Sequence, residues 1–406
     1  IIEEFLIHSD RRKEGEKPFD LTPFVASIDY FEDIFSPCVT LKVLIVNEAQ
    51  VVAEDEEDTE STDDNLKSLY QGLPLRGGEI CRLKIGANVG TNIPLDFSEK
   101  VQDYLYVTGI SNVIRDSKRE LFTLNLTSRE AIVNETVRCF KKYSPDQNIG
   151  ATVENILSDT LGVEQDRYKV ELTSNSYGFI GNLKKPFPTI TWLAKKSVTK
   201  TKGGGSAGFL FYQTKSGYKL VNESGDKLKA PPFYYGEATQ GFDGNDRPVN
   251  TDFKILKFAI QQNSDILRDL RLGTYCTSGM YFNPYNFEFE SKIYKRKDEI
   301  KKDNMSLMGS EDPTRYPLKL DPDNKTGSDD TIEDSVSRTL TGISDIGVLA
   351  REDTNHLKKS DPLKFQMQSV TRYNTLFTNV LEMMIPLNSN LEAGMCVECE
   401  FPPMST

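Results

Sequence analysis

The stretch Tyr104–Glu135, YLYVTGISNVIRDSKRELFTLNLTSREAIVNE, joins two strand patterns to the start of a helix. The charged run Arg115–Glu120 separates the two strands, which indicates a hairpin. In the second strand apolar and polar residues alternate, which predicts a sheet with one face against a core and one face in solvent. The alternating residues are Phe122, Leu124 and Leu126 on one face and Thr123, Asn125 and Thr127 on the other.

The predicted hairpin runs directly into a predicted helix. Thr127 and Glu130 have the Thr-x-x-Glu spacing of a capping box, in which the two side chains pair with free N–H groups at a helix start. Apolar residues then follow at helical intervals, at Ile132, Val133, Val137 and Phe140. We therefore expect a β-rich region up to about residue 130 and a helix-rich region after it.

A second helix is predicted over NIGATVENILSDTLG, residues 148–162. Its apolar residues form one stripe, and Gly162 supplies a C-terminal stop because glycine readily adopts the left-handed conformation. The stripe consists of Ile149, Val153, Ile156, Leu157 and Leu161. A third helix is expected over residues 191–197, after Pro188.

Further strand signals lie on both sides of this helical region. β-branched or alternating runs bounded by turn residues predict strands at residues 37–47 and 79–85. The same signals predict hairpins at residues 209–221 and 280–294. The glycine-rich residues 199–208 precede a strand rather than a helix, so they do not form a phosphate-binding loop.

The C-terminal part combines a helix with a closing hairpin. The helix is expected over residues 365–377, with Phe365, Val370, Tyr373 and Phe377 on one face. The hairpin is expected over Ile385–Phe401 and includes Cys396 and Cys399. Residues three apart on a strand point to opposite faces, whereas zinc needs thiolates that converge on one ion. We therefore expect these cysteines to be structural residues of the hairpin.

The composition limits the class of protein. The 406 residues carry a formal net charge of −12, and the stretch Glu54–Asp64 alone contains eight acids and no base. Such a run cannot bury enough apolar surface to order itself, so a solvated loop is expected there. An acidic chain without a basic, aromatic-rich stripe does not favour nucleic-acid binding. The other four cysteines, Cys38, Cys81, Cys139 and Cys276, lack paired spacing. This pattern is typical of a protein that folds in a reducing cytosol.

The sequence does not match the other motifs of catalytic and metal-binding sites at their key positions. The stretch Asp321–Asp334 imitates a calcium loop, but Lys325, Gly327 and Ile332 occupy positions where the loop needs other residues. The two histidines, His8 and His356, do not stand in a motif. Glycoside hydrolysis needs only two carboxylates, so the 61 acids leave it open, but no pair stands in an aromatic-rich apolar setting that would mark such a site. We expect no catalytic residue, cofactor or metal, and the combination of strands, helices and insertions favours a structural part of an assembly.

The order of elements resembles the central baseplate hub protein of contractile-tailed, T-even-like bacteriophages, a family related to phage tail and type VI secretion spike proteins. The resemblance is diffuse but spans most of the chain. Its best stretch is SVTRYNTLFTNVLEMMIPLNSNLEAGMCVECEF, where Asn388, Leu391 and Gly394 match the turn of the closing hairpin. The stretches 104–135 and 266–294 match a strand pair followed by a helix, and a helix followed by a strand pair.

The resemblance implies an α+β fold with two β-barrel-like tail-tube domains, a helical or mixed domain between them and long polar insertions. The first tube-like domain would span residues 1–130, with the acidic loop at 54–64, and the helix-rich domain residues 131–249. The second tube-like domain would combine residues 250–295 and 361–406. Residues 296–360 would form a polar insertion.

The resemblance also implies a structural virion protein without enzymatic activity. Three chains would form a homotrimer whose six barrels join the sixfold tail tube to the threefold central spike. Its partners would be the spike protein, the tail tube protein and baseplate wedge proteins, with DNA only in transit through the lumen and without stable membrane insertion. The protein would lie in the virion tail baseplate after assembly in the host bacterial cytoplasm, and we expect a neutral or acidic lumen.

Two alternatives stay open at this point. One is a type VI or tailocin-like spike component, whose sequence would continue into a β-helical needle. The other is a tail-associated enzyme that degrades the cell wall, which an assay of peptidoglycan hydrolysis would detect.

The cysteine interpretation gives a first testable prediction. Cys396→Ser and Cys399→Ser should leave the metal content of the purified protein unchanged, because two thiolates on opposite faces of a strand cannot bind one zinc ion. Elemental analysis of parent and variants measures this. Stoichiometric zinc in the parent that disappears in both variants would contradict the prediction.

Overall fold

The computed structural model describes the chain in several ranges that fall into two compact units. The described residues are 1–8, 17–48, 51–52, 67–73, 75–86, 93–116, 119–200, 206–222, 233–235, 253–262, 265–284, 287–301, 319, 331–344, 362–376 and 379–401. The first unit consists of Ile1–Thr136, Tyr212–Gly217 and Ser389–Ala393, and the second of Val137–Phe211, Tyr218–Asn388 and Gly394–Thr406. The predicted acidic loop at 54–64 lies outside the described residues, so that prediction is untested.

The strands up to residue 128 are β1 (Ile2–His8), β2 (Phe19–Asp20), β3 (Val25–Phe31), β4 (Thr40–Glu48), β5 (Val51–Val52), β6 (Lys67–Ser68), β7 (Ile80–Ile85), β8 (Leu95–Asp96), β9 (Leu105–Arg115) and β10 (Arg119–Ser128). Two helices belong to the same region, α1 (Leu69–Gly72) and α2 (Arg129–Thr136).

The later strands are β11 (Lys142–Tyr143), β12 (Tyr168–Val170), β13 (Phe179–Ile180), β14 (Phe209–Thr214), β15 (Gly217–Asn222), β16 (Phe233–Tyr234), β17 (Lys257–Gln262), β18 (Cys276–Asn283), β19 (Glu288–Lys295), β20 (Arg338–Ile343), β21 (Val380–Met384) and β22 (Cys399–Glu400). The later helices are α3 (Ile149–Asn155), α4 (Pro186–Ala194), α5 (Ile266–Leu272), α6 (Arg296–Lys301) and α7 (Pro362–Thr375).

The predicted hairpin at 104–128 is present and lies in the middle of the main sheet of the first unit. β9 and β10 pair antiparallel, and β10 pairs with β4 on its other side. Phe122, Leu124 and Leu126 are buried as predicted. The opposite face, predicted to lie in solvent, is only partly exposed, since Thr123 and Thr127 are buried too.

The main sheet has eight strands and runs in the order β2-β1-β7-β9-β10-β4-β3, with β8 beside β7. Laid flat, the six spacings from β2 to β3 would cover about 29 Å at ~4.8 Å each. However, β2 ends at Asp20 and β3 begins at Val25, and five Cα–Cα steps reach at most about 19 Å. The sheet must therefore curl until its two outer strands come within reach of this short link.

Side chains fill the inside of the curled sheet. The ring of Tyr30 in β3 lies 5.8 Å, centroid to centroid, from the ring of Phe97, which follows β8. The buried cluster draws on strands from both halves of the sheet, and its residues are Phe5, Ile7, Leu21, Leu41, Val43, Ile45, Leu69, Leu73, Cys81, Leu83, Leu95, Phe97, Leu105, Val107, Phe122, Leu124 and Leu126. Burial of such side chains is the main stabilising term of a fold of this kind.

Among the described strands, no sheet closes into a barrel, because β2 and β3 do not pair with each other. The α+β class is confirmed in its coarse form, with mostly antiparallel sheets and few helices. The expectation of barrels has to be corrected to a curled, open sheet in the first unit.

One carboxylate joins three separate segments of the first unit. Glu32 Oε1 accepts hydrogen bonds from the Tyr30 hydroxyl (2.5 Å) and the Lys215 backbone N–H (2.7 Å). Its other oxygen, Oε2, accepts from the backbone N–H of Ala393 (2.7 Å). The segments 212–217 and 389–393 are thereby held to β3, although they lie more than 180 residues further along the chain.

A second polar contact supports the same arrangement. The buried Gln213 accepts hydrogen bonds at Oε1 from the Val39 backbone N–H (3.0 Å) and the Ser128 hydroxyl (2.8 Å). The Thr127 hydroxyl donates to the Val39 carbonyl (2.9 Å). Burial, with Glu392 and Glu32 nearby, raises the pKa of Tyr212 to about 12.

The helix start predicted at Thr127 also needs correction. Thr127 belongs to β10, and α2 covers Arg129–Thr136, so the helix ends before Phe140, which is exposed. The second predicted helix is confirmed, with its five stripe residues buried. It consists of α3 followed by a π-helical turn at 156–160, and Gly162 ends it with φ +70°.

The second unit contains several small sheets instead of one large sheet. Among the described strands after α2, β11 pairs with β13, β17 with β21 and β16 with β22, while β12-β15-β14 and β19-β18-β20 form three-stranded sheets. α4 begins at Pro186, before the predicted start after Pro188. In α7 the buried residues include Gln368, Thr371 and Arg372, while the predicted face residue Tyr373 is exposed; Phe377 lies outside the described residues.

The predicted closing hairpin at 385–401 is wrong. β21 pairs antiparallel with β17, whereas β22 pairs parallel with β16. The two strands therefore satisfy their backbone hydrogen bonds with partners elsewhere in the chain, which local turn chemistry cannot reveal.

The Glu32 contacts predict a measurable loss of stability. Glu32→Ala should lower the free energy of unfolding by about 2–4 kcal/mol, because the N–H groups of Lys215 and Ala393 lose their acceptor. Hydrogen exchange at 212–217 and 389–393 should accelerate in the variant. As a control, Glu48→Ala removes an exposed ion pair with Arg119, which is worth about 0–1 kcal/mol. Equal effects of the two substitutions would contradict the assignment.

Candidate assembly surface

The sheet β19-β18-β20 presents two outer strands and one uncovered face. β18 and β19 pair antiparallel from Cys276–Lys295 to Asn283–Glu288, and β20 pairs parallel on the other side of β18. The first six residues of β19 are exposed on both faces of the strand. β19 therefore leaves one row of backbone hydrogen-bonding groups without a strand partner in this sheet.

Helix α7 covers one face of this sheet. Tyr281 of β18 and Tyr294 of β19 are buried and form a cluster with Met367 of the helix, against which Leu340 of β20 packs. Gly342 leaves space for this packing, because an added Cβ would lie 3.1 Å from the Tyr281 ring. The covered face is thus a small, well-filled core.

The opposite face is apolar, and the described residues leave it uncovered. Phe289 is 72% exposed and Ile293 61% exposed, and the Phe282 ring lies 5.0 Å from the Phe289 ring. We refer to this surface as the apolar sheet face, formed by Met280, Phe282, Phe287, Phe289, Ile293 and Ile343. Contiguous apolar surface of this kind typically marks an interaction site.

A buried ion pair positions the segment that leads into β20. Arg296 Nη2 lies 3.0 Å from Glu333 Oε1, and both side chains are almost fully buried. The Arg296 guanidinium also lies over the ring of Tyr275, 4.6 Å from its centroid. Loss of either charged partner would leave the other uncompensated in the interior, which strongly destabilises a fold.

The neighbouring Asp334 adds a second group of contacts. Its carboxylate accepts hydrogen bonds from the ammonium groups of Lys295 (3.0 Å) and Lys297, and from the Thr331 backbone N–H and hydroxyl. Burial alone would raise the pKa of Asp334, but the hydrogen bonds from Lys297, Lys295 and Thr331 hold it well below its usual range. The segment 331–334 is therefore fixed beside the end of β19.

A second exposed apolar surface lies on the ribbon β17–β21. Three rings from separate segments meet there: Phe258 lies 4.9 Å from Tyr235 and 4.7 Å from Phe401. Each ring is partly exposed, and Ile260 and Leu381 extend the surface along the ribbon. Within the described residues, the second unit thus exposes apolar side chains on this ribbon as well as on the sheet β19-β18-β20.

The residues predicted for the closing turn lie between β21 and β22. Asn388 is buried, Leu391 is half-buried and Gly394 is exposed with φ +83°. Because β21 and β22 do not pair, the structure does not place these residues in a hairpin turn. Their structural role stays a prediction.

The cysteine near the C-terminus predicted to be structural lies against a methionine. The Cys399 thiol contacts the Met383 thioether at 3.4 Å, and burial raises its pKa. In the part of the chain that the structure describes, His, Cys, Asp and Glu side chains do not form a group of three or more that could hold a metal ion. Within the same ranges, the helices lack the length and apolarity needed to cross a membrane. His356 lies outside the described residues.

The sequence analysis missed β20. Residues 338–343 fall in the predicted polar insertion at 296–360, yet they form an outer strand of the sheet. The alternation of Thr339, Thr341 and Ile343 with Leu340 was the available signal, but polar surroundings on both sides weakened it.

Solved structures of tail proteins are similar to this chain at low identity. A 43 kDa tail protein of prophage MuSo2 from Shewanella oneidensis has a TM-score of 0.47 and 11% identity, over 94% of this chain and 82% of its own. A tail protein from Neisseria meningitidis MC58 has a TM-score of 0.49 and 9% identity, over 98% and 86%.

A third similar structure is a component of the E. coli type VI secretion system, described as structurally similar to the T4 bacteriophage tail proteins gp27 and gp5. It has a TM-score of 0.31 and 8% identity, over 61% of this chain and 57% of its own. No protein-family model matches the sequence, and no curated protein matches it either. With TM-scores below 0.5, these similarities do not by themselves assign a fold or a function.

The contacts of Asp334 predict a pH-dependent stability. Because the pKa of Asp334 is lower in the folded chain than its usual value of 3.8, the carboxylate stabilises the fold above about pH 4 and loses this effect as the pH falls toward the folded-state pKa. The unfolding temperature of Asp334→Asn should therefore differ from that of the parent most at neutral pH, and less below about pH 4.

A suitable control is Asp159→Asn, which removes an ion pair with Lys141 in which both side chains are about half exposed. It should change the unfolding temperature little at any pH. A difference between Asp334→Asn and the parent that grows on acidification would be incompatible with the assigned contacts.

Proposed function

We propose that this chain is a structural protein of a bacteriophage tail, the central hub of the baseplate, without enzymatic activity. The observation that carries the proposal is the apolar sheet face together with the uncovered outer strand β19. A chain that left these groups in solvent would be prone to aggregate, so a permanent partner is the expected solution.

The partner that we propose is another copy of the same chain. Neighbouring copies in a closed ring can bury the same type of surface at every interface. The proposed assembly is a homotrimer, in agreement with the family that the sequence resembles. Its interfaces would bury more than about 2,000 Å², as permanent ones commonly do.

The curled sheet of the first unit supports a role as a wall segment of a tube. Its outer strands are joined by a short link and its concave side is filled with side chains, so the sheet is a stiff building block. We propose that residues 250–295 and 361–406 supply a second tube-like segment. Three chains would then give six segments around one axis, which would match the sixfold tail tube to a threefold spike.

The remaining partners follow from this placement. We propose contacts with the central spike, the tail tube protein and the baseplate wedge proteins, with DNA in transit through the lumen and no stable membrane insertion. The protein would lie in the virion tail after assembly in the host cytoplasm. A type VI spike component is the nearest alternative, and a particle image that shows the chain between tube and spike separates the two.

The proposal predicts that the apolar sheet face controls oligomerisation. The parent should be a trimer at micromolar concentration, either alone or with the spike protein, by native mass spectrometry. Phe289→Glu combined with Ile293→Glu should yield monomers. A neighbouring copy that paired with β19 or packed against the apolar sheet face would then have to bury these charges. The variant should keep the secondary structure of the parent by circular dichroism, since both side chains are exposed in the single chain, while its unfolding temperature should fall by the stabilisation that trimer formation adds.

The matched control is Leu172→Glu combined with Leu267→Glu, two comparably exposed leucines outside the apolar sheet face. This control should remain trimeric. A parent that stays monomeric in both conditions, or that forms a twofold dimer, would refute the hub. Lysis of peptidoglycan by the purified parent would instead favour the cell-wall enzyme.

A further inference from the structure

A small ribbon of the second unit combines exposed apolar side chains with lysine pairs. β11 and β13 pair antiparallel with Lys142 opposite Ile180, and a further bridge joins Cys139 to Lys184. The tripeptides Phe140-Lys141-Lys142 and Leu183-Lys184-Lys185 thus lie on adjacent segments. Gly181 permits this close approach, since an added Cβ would lie 2.5 Å from the Cys139 carbonyl oxygen.

The apolar residues of the ribbon project into solvent. Phe140 is 72% exposed, Leu183 66% and Ile180 54%. Leu183 has φ +55°, a conformation that side chains other than glycine and asparagine rarely adopt. The chain therefore holds a leucine in an unfavourable conformation although its side chain gains little burial. We call Phe140, Ile180, Leu183 and the two lysine pairs the ribbon patch.

The charge of the ribbon patch is opposite to that of the whole chain. The segments 138–142 and 180–185 contain five basic residues and no acid, within a chain of net charge −12. Lys141 forms an exposed ion pair with Asp159, and Lys184 Nζ lies 5.6 Å from the centroid of the Trp192 ring. Lys196 lies over the same ring and over Tyr177. Cation–π contacts with these aromatic rings thus hold two ammonium groups near the exposed apolar residues.

We propose that the ribbon patch binds an anionic lipid surface. Exposed apolar side chains can enter the boundary between headgroups and acyl chains, while lysines contact the phosphates and keep their charge in water. Lysines near an anionic bilayer add to binding in a salt-dependent way. A purely acidic peptide or a nucleic acid would pair with the lysines but would leave Phe140, Ile180 and Leu183 in solvent.

This contact is peripheral and needs no spanning segment. It does not depend on the hub proposal, because it uses residues outside the apolar sheet face. A tail protein would have occasion to meet an anionic bacterial membrane, but the patch would bind lipid in any context that brings the two together.

The test uses the full chain and vesicles of two compositions, phosphatidylcholine alone and an equal mixture with phosphatidylglycerol. Cosedimentation should show binding to the anionic vesicles that weakens at high salt, and little binding to the neutral ones. Trp192 is the only tryptophan in the sequence, so its emission reports on this patch. Lipids brominated on the acyl chain should quench it.

Two double variants separate the contributions of the patch. Lys142→Glu with Lys184→Glu, and Phe140→Ser with Leu183→Gly, should each weaken binding at least tenfold. Glycine at 183 relieves the positive φ, so Leu183→Gly alone should keep or raise the unfolding temperature while it weakens binding. That opposite movement distinguishes lost contact from lost folding. The control Lys169→Glu with Lys257→Glu alters two exposed lysines elsewhere and should bind like the parent.

Three results would overturn the proposal. The first is absence of binding to the anionic vesicles. The second is vesicle binding that the lysine variant abolishes but the apolar variant leaves unchanged, which would show that the patch attracts anions by charge alone and does not insert apolar side chains. The third is displacement of the vesicles by a DNA oligonucleotide that the apolar variant binds normally. The oligomeric state, measured separately, tests the hub proposal and does not affect these outcomes.

Discussion

The short link between β2 and β3 is the constraint on which the first unit depends. These two strands occupy opposite ends of the main sheet, yet the chain passes from one to the other between Asp20 and Val25. The sheet cannot satisfy this connection while flat, so its right-handed twist is drawn into a strong curl. Once curled, the inner faces of the strands enclose one core, and the Tyr30 ring of β3 contacts the ring of Phe97, which follows β8.

The carboxylate of Glu32 extends this arrangement to distant parts of the chain. It lies just beyond the end of β3, and the curl of the sheet sets its position. From there it accepts backbone N–H groups of Lys215 and Ala393. Charged acceptors make stronger hydrogen bonds than neutral ones, so one side chain can hold segments whose ordering would otherwise be entropically unfavourable.

In the second unit, the sheet β19-β18-β20 is covered on one face only. Helix α7 covers one face of β19-β18-β20, and buried ionic contacts of Arg296 with Glu333 fix the approach to β20. The opposite face keeps its apolar side chains in solvent. A single chain thus buries one face of this sheet and leaves the other in solvent, which is why we propose a partner there. The ribbon patch differs because its apolar residues stand among lysines, a combination for which we propose an anionic lipid surface as the partner.

The sequence alone determined the elements whose signals are local. Alternation predicted β9 and β10 and the apolar stripe predicted α3, while the α+β class was what the family resemblance implied. These predictions are correct because the repeat of apolar residues along one strand or one helix directly reflects which of its faces is buried. The tertiary structure decided what depends on partners far apart in sequence. β21 and β22 pair with β17 and β16 rather than with each other.

The apolar sheet face shows the same limit at the level of the candidate site. Its residues come from β18, β19 and β20, and β20 lies in a stretch that resembles a polar insertion. In α7 the tertiary structure buried Gln368, Thr371 and Arg372 and exposed Tyr373, against the apolar periodicity. Burial is a property of the assembled surface, so sequence pattern predicts it only where one element supplies both the residues and their surroundings.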